Sequence, residues 1–182
     1  MNKPDSRPTL RTSRLILRPL HLSDGFDVRR MAGNSKVAEN TLHMPFPYPE
    51  GIAEEWISSH AQDFLDNKQL VLGICLRADK MLIGCIGLTL RKDIENAELG
   101  YWIGEEFWNQ GYATEAAMAL LEFGFHSLSL HKIYAYYFAT NSASGRVMEK
   151  IGMVQEGFLK EHVRHWGEYK DLYLYGIIKP KN

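Results

Sequence analysis

The stretch from Ala97 to Ala117 constrains this chain more than any other. Ala97, Leu99, Tyr101 and Ile103 alternate with Glu98, Gly100 and Trp102, which is the period of a β-strand. Trp108-Asn109-Gln110-Gly111-Tyr112-Ala113-Thr114-Glu115-Ala116-Ala117 then sets a glycine turn directly ahead of a helix-forming run. A helix over about Thr114 to His126 gathers Ala117, Leu120, Leu121, Gly124 and Phe125 on one side. Strand, tight turn and helix in that order form a unit of folds in which helices pack on a sheet. The same unit offers an anion site. The first N–H groups of a helix have no intrahelical partner, and the helix dipole adds roughly half a positive charge at that end. A phosphate fits there: Gly111 lets the backbone approach without a Cβ in the way, Ala113 is small, and Thr114 adds a hydroxyl. The competing reading is an ordinary connection in which Gly111 serves only the turn. Neither Gly-x-x-x-x-Gly-Lys-Ser/Thr nor Gly-x-Gly-x-x-Gly occurs at this turn, which argues against a nucleotide triphosphatase and a dinucleotide dehydrogenase.

Around this unit the spacing predicts a first strand at Arg14–Arg18 stopped by Pro19, and a short helix from Ser23 or Asp24 to about Ala32. Thr41–Pro49, with three prolines, reads as a loop whose Met44, Phe46 and Tyr48 form an apolar wall. A second helix runs from about Glu50 to Asn67 with Ile52, Trp56, His60 and Phe64 inward. Strands follow at about Leu70–Arg77, Met81–Arg91 and Asn96–Ile103, and after the central helix at Lys132–Phe138. Asn141 starts a short helix ending near Ile151, Gly152 stops it, and a last hairpin joins about Val154–His165 to Tyr169–Ile178. The expectation is a mixed sheet with packed helices, α+β or α/β by bookkeeping, in one domain spanning 1–182.

Composition fits that size of core: 182 residues, 45% hydrophobic and 24% charged. A net charge of −1 gives no support to a nucleic-acid or membrane-surface binder. The opening residues are polar, and no apolar run approaches the roughly 18 residues of a membrane span, so a cytoplasmic protein is expected. Cys75 and Cys85 flank the predicted turn Arg77-Ala78-Asp79-Lys80 and read as buried apolar residues rather than a disulfide or metal pair. No metal is expected. His162 and His165 point to opposite faces of a strand, and Glu122 with His126 supplies two ligands only. Residues 37–66 hold Glu39, Glu50, Glu54, Glu55, Asp63 and Asp66 with no Lys or Arg, either the entrance for a cationic substrate or a solvated helix face.

Three ordered segments resemble the GNAT N-acetyltransferases, and in particular the Rim-type branch that acetylates ribosomal-protein N-termini. They are Ala97-Glu98-Leu99-Gly100-Tyr101-Trp102-Ile103, the turn Trp108 to Ala116, and Asn141-Ser142-Ala143-Ser144-Gly145-Arg146-Val147-Met148-Glu149-Lys150-Ile151-Gly152-Met153. The opening Thr-Ser-Arg-Leu-Ile-Leu-Arg and the closing Asp171-Leu172-Tyr173-Leu174-Tyr175 extend the likeness over nearly the whole chain. The resemblance implies a mostly antiparallel sheet of six to seven strands, splayed between the fourth and fifth, with about four flanking helices. It implies acetyl-CoA as co-substrate, its pyrophosphate on the main chain of Asn109, Gln110, Gly111, Tyr112, Ala113 and Thr114. Backbone at Trp102 and Ile103 would meet the pantetheine amides as an added strand. Asn141 would bond the pantetheine, alongside or instead of capping its helix. Ser144 would protonate the departing thiolate, because Met148 stands near where many relatives carry a tyrosine acid. Trp108 replaces the Gln or Arg that often opens the loop, and Asn109 and Gln110 stand where the branch often has Gly and Lys. Arg146 and Lys150 would approach the adenosine phosphate or be plain surface cations. The Glu50–Asp66 region would lie on the acceptor side, and a homodimer is common among relatives.

Acetyl transfer from a thioester needs a neutral amine, and Glu98 is the candidate base: it lies in an apolar run where burial would raise its pKa, and related enzymes place a base on this strand. A solvent-facing or ion-paired Glu98 is the alternative. The acceptor would be a protein N-terminal α-amine or a small amine or antibiotic. A non-catalytic acyl-CoA sensor is the reading from another class.

Overall fold

The computed structural model describes residues 6–180. In chain order the elements are β1 (Leu10–Arg11), β2 (Leu15–Arg18), α1 (Gly25–Ala32), α2 (Ser35–Glu39), α3 (Ile52–Leu65), β3 (Gln69–Leu76), β4 (Leu82–Arg91), β5 (Asn96–Ile103), α4 (Tyr112–His126), β6 (Lys132–Phe138), α5 (Ser142–Lys150), β7 (Val154–His165) and β8 (Glu168–Ile178). One eight-stranded sheet has the order β1-β2-β3-β4-β5-β6-β8-β7. Every pair is antiparallel except β5 with β6.

The sheet has one strand more than expected, and there are five helices rather than four. The added strand, β1, pairs Leu10 with Leu17 and Arg11 with Ile16. Two residues are too few to show an alternation. The added helix, α2, is a five-residue segment capped by the Asn34 side chain, which accepts from the Lys36 N–H. It is likewise too short for helical periodicity to reveal.

The core lies in two layers. Below the sheet, Leu15, Leu17, Leu70, Leu72, Ile74, Ile86 and Leu88 pack against Ala116, Ala117, Leu120, Leu121 and Phe125 of α4. Above it, Val71, Cys75, Leu82 and Cys85 meet Val28 and Met31 of α1 and Ala53 and Ile57 of α3. Coverage on both faces explains why β3 and β4 read as continuous apolar runs rather than alternating ones. Both cysteines are free and buried in the upper layer, and burial pushes both thiols up, so they stay protonated.

The buried stripe of α3 is Ala53, Ile57 and His60, with Ile52, Trp56 and Phe64 half-buried, so the helix is rotated by about one residue from the predicted face. His60 is 0% exposed and neither ring nitrogen has a hydrogen-bond partner. Burial, and behind it the charge of Arg7, depresses its pKa to about 4 against an opposing pull from Asp63. A histidine held neutral by the fold binds fewer protons folded than unfolded. Its stabilising contribution is therefore present above the ordinary value near 6.5 and is lost as pH falls towards 4. Between pH 7 and pH 4.5 the wild-type chain is expected to lose about 2 to 3 kcal/mol that His60→Leu retains. Urea unfolding of both proteins at the two pH values checks this, and equal losses would contradict it.

Candidate active site

β5 and β6 pair only at their starts, through Asn96↔Lys132, Ala97↔Ile133 and Glu98↔Tyr134. Beyond Glu98, β5 continues with β4 as far as Gly84↔Ile103, while β6 follows β8 as far as Phe138↔Leu172. The two strands therefore part in the middle of the sheet. These are the strands the sequence reading counts as fourth and fifth. The gap is a cleft of about 490 Å³, lined by β5 from Glu98 to Ile103, by Tyr136, Tyr137 and Phe138, and by the first residues of α4 and α5.

Glu98, Trp102, Ile103, Asn109, Gly111, Tyr112, Ala113, Thr114, Asn141 and Ser144 all line this cleft. Gln110 does not: its carbonyl accepts from Arg14 Nη1 at 3.0 Å, and its amide donates to the Glu106 carbonyl at 3.4 Å. Glu98 is the only carboxylate among the lining residues. Burial raises its pKa, and the nearby His43, also in the lining, acts the other way.

The ladder corrects one assignment. Gly104 N–H donates to the Ile83 carbonyl, so Gly84↔Ile103 is a pair without mutual bonds. By alternation the N–H and C=O of Ile103 and of Tyr101 face the gap, whereas those of Trp102 face Cys85 on β4. The open backbone is thus Tyr101 and Ile103 rather than Trp102 and Ile103. Trp108 takes part of it, since its indole Nε1 donates to the Ile103 carbonyl at 2.7 Å. That bond folds the loop back on the end of β5.

The turn ahead of α4 is built on two left-handed residues, Asn109 at φ 60° and Gly111 at φ 80°. Asn tolerates this region and Gly is unrestricted in it. No side chain caps α4, so the N–H groups of its first turn open into the cleft. The N-terminal hairpin fixes the turn from outside. Thr12 Oγ1, Ser13 Oγ, Arg14 N and Arg14 Nε donate to the Glu115 carboxylate at 2.6, 3.0, 2.8 and 2.6 Å. Burial opposes ionisation of Glu115, but the bonds from Thr12, Arg14 and Ser13 outweigh it and hold its pKa at about 2. Arg14 also lies over the Tyr112 ring, 4.7 Å from its centroid. Sequence reasoning missed this clamp. About 100 residues separate its halves, so no local pattern links them.

On the opposite wall, Asn141 Oδ1 accepts the Ser144 N–H at 3.2 Å, so Asn141 does cap α5. Ser144 Oγ lies 2.7 Å from the Tyr101 hydroxyl, a contact that sequence spacing gave no sign of. Met148 is 1% exposed and belongs to the core.

None of residues 50–66 lines the cleft, so the acids of the Glu50–Asp66 region do not form its wall. Glu50 pairs with Arg29, Asp63 with Gln69 and Asp66 with Lys68. The apolar wall expected from Met44, Phe46 and Tyr48 is also displaced. Thr41, Leu42 and His43 line the cleft instead, Phe46 meets Trp166 in a tilted ring pair with centroids 5.1 Å apart, and Tyr48 packs against the upper core layer.

The family profile described as acetyltransferase (GNAT) domain matches residues 14–154. The chain belongs to the GNAT acetyltransferase family. It is 33% identical to the uncharacterized N-acetyltransferase YoaA of Bacillus subtilis strain 168, over 96% of this chain and 98% of that one. It is 28% identical to the spermidine N(1)-acetyltransferase of Vibrio cholerae, over 93% and 95%. An acetyltransferase structure of the GNAT family from Bacillus anthracis superposes with a TM-score of 0.84 at 29% identity, covering 94% of this chain and 99% of that one. Ribosomal-protein α-N-acetyltransferases are among the solved structures that share the fold. As a GNAT enzyme the chain is an N-acetyltransferase. Among the described residues no helix is long and apolar enough to cross a membrane.

Proposed function

We propose that this GNAT enzyme transfers the acetyl group of acetyl-CoA to the α-amino group of a polypeptide N-terminus, by direct attack with both substrates bound. The observation that carries the choice of acceptor is the single carboxylate of the cleft. A polyamine brings two or more ammonium groups, and each one taken out of water without a carboxylate is costly. The cleft supplies Glu98 for one amine and none for a second, so spermidine, the acceptor named for the Vibrio cholerae relative, is disfavoured. An α-amine of pKa near 8 is already roughly a tenth neutral at pH 7, whereas a lysine is neutral to about one part in several thousand. A lone carboxylate suits the former.

The cleft's chemistry fits the thioester donor. Uncapped N–H groups at Gly111–Thr114 would hold the diphosphate, and the gap-facing edge of β5 would pair with the pantetheine amides. In the reaction the amine nitrogen bonds to the thioester carbonyl carbon and passes a proton to Glu98. The C–S bond then breaks with its electron pair on sulfur, which takes a proton from the Ser144 hydroxyl. Water in the cleft returns the proton from Glu98 to the Ser144 oxygen, so one proton moves in net from nitrogen to sulfur.

A thiol-release assay with acetyl-CoA tests the proposal across N-terminal peptides, spermidine, free amino acids and aminoglycosides. The kcat/KM for at least one unblocked peptide is expected to exceed that for spermidine by at least about a hundredfold, with the N-acetylated form of that peptide inert. Preference for spermidine or an aminoglycoside would overturn the acceptor assignment.

A further inference from the structure

We propose that Tyr101 is a positioning residue for the proton delivered to the leaving thiolate, acting by fixing the direction of the Ser144 hydroxyl. This rests on the reading of Ser144 as the proton donor given above. Tyr101 reaches from β5 across the gap to α5, and its ring packs against the lower core. Among the described residues the Tyr101 hydroxyl meets Ser144 twice: Oγ at 2.7 Å and the carbonyl oxygen at 3.4 Å. Both can accept, and a half-buried phenol with an acceptor at 2.7 Å places its hydrogen there. The shorter contact takes it. A phenol is also a stronger donor and a poorer acceptor than an aliphatic hydroxyl, which favours the same direction.

With Tyr101 donating, Ser144 Oγ accepts and its own hydrogen must point elsewhere. The Ser144 backbone N–H is already committed to Asn141, so the residue is held at two points, one on the main chain and one at Oγ. Tyr101 and Ser144 both line the cleft, and the free hydrogen of Ser144 is available to a sulfur leaving there. As the proton leaves Ser144, negative charge builds on Oγ, and the bond from Tyr101 strengthens at that moment rather than before it. Tyr101 keeps its own proton throughout. Burial pushes its pKa to about 12 even against the pull of Ser144, so it remains a donor over the working range.

The test is a double-mutant cycle in the thiol-release assay with acetyl-CoA and an unblocked peptide, using Tyr101→Phe, Ser144→Ala and the two combined. Tyr101→Phe keeps the ring that fills the core, and circular dichroism checks that each variant folds. Ser144→Ala is expected to lower kcat about a hundredfold. Tyr101→Phe should lower kcat about tenfold while the KM for acetyl-CoA stays within about twofold, and the double variant should match Ser144→Ala. A Tyr101→Phe effect that multiplies with Ser144→Ala, that falls on KM alone, or that is absent would overturn the proposal while leaving Ser144 as donor. Unchanged kcat in Ser144→Ala would remove the donor reading itself, and this proposal with it.

Discussion

Replacing Gly111 with tryptophan is expected to raise the dissociation constant for acetyl-CoA at least a hundredfold, about 3 kcal/mol, in a chain that still folds. Two effects combine. Gly111 sits at φ 80°, where any L side chain is strained and a bulky one most of all. A Cβ there would also lie 3.5 Å from Arg14 Nη2, so a large ring has to displace the guanidinium that holds Gln110 and Glu115. Both effects move the N–H groups at the start of α4, which are the proposed diphosphate ligands. The residue is exposed and belongs to neither core layer, so the sheet should persist. Gly111→Ala, which adds strain without bulk, should give a smaller loss. Isothermal calorimetry with acetyl-CoA reads both, and normal affinity in folded Gly111→Trp would remove the turn from the site.

The second large effect is on the chemical step. Glu98→Gln is expected to lower kcat by about a hundredfold to a thousandfold with the affinity for acetyl-CoA unchanged, because a general base contributes roughly that much. The pH profile separates a base from a residue that merely fills space. Glu98 has a raised pKa and works only when ionised, and the acceptor amine reacts only when neutral. As pH falls, log(kcat/KM) in the wild type should therefore bend twice, at the amine and again at Glu98, approaching a slope of two. Without a titrating group at 98, one bend and a slope of one should remain. A Glu98→Gln profile identical in shape to the wild type, with kcat intact, would show that the amine loses its proton to another group.

The physical logic of the cleft lies in how separate parts of the chain share one gap. β5 carries Glu98, the gap-facing backbone and Tyr101, α5 brings Ser144, and the first strands reach over to hold α4 through Arg14 and Glu115. Glu115 spends its charge on four donors and is fixed as an anion down to about pH 2. Glu98 has the opposite setting, half-buried with no ion pair among the described residues and a raised pKa. Two glutamates seventeen positions apart are thus set in opposite directions by environment, one held ionised at the turn and the other with its proton affinity raised as the proposed base requires.

Local pattern determined much of this protein. The bounds Asn96–Ile103, Lys132–Phe138 and Val154–His165 follow from alternation and β-preference, and Gly111, Asn141 and Gly152 mark the helix ends, because these signals act within a few neighbouring residues. The phosphate turn and the candidacy of Glu98 and Ser144 rest on three short segments for the same reason. Tertiary structure decided what depends on distance in space. It parted β5 from β6, gave the open edge to Tyr101 rather than Trp102, and removed the acids of α3 from the cleft. It also joined Tyr101 to Ser144 and Arg14 to Glu115. A hydrogen bond across 43 or 101 residues leaves no periodic trace in a sequence, since only the packing of sheet and helices brings its partners within 3 Å.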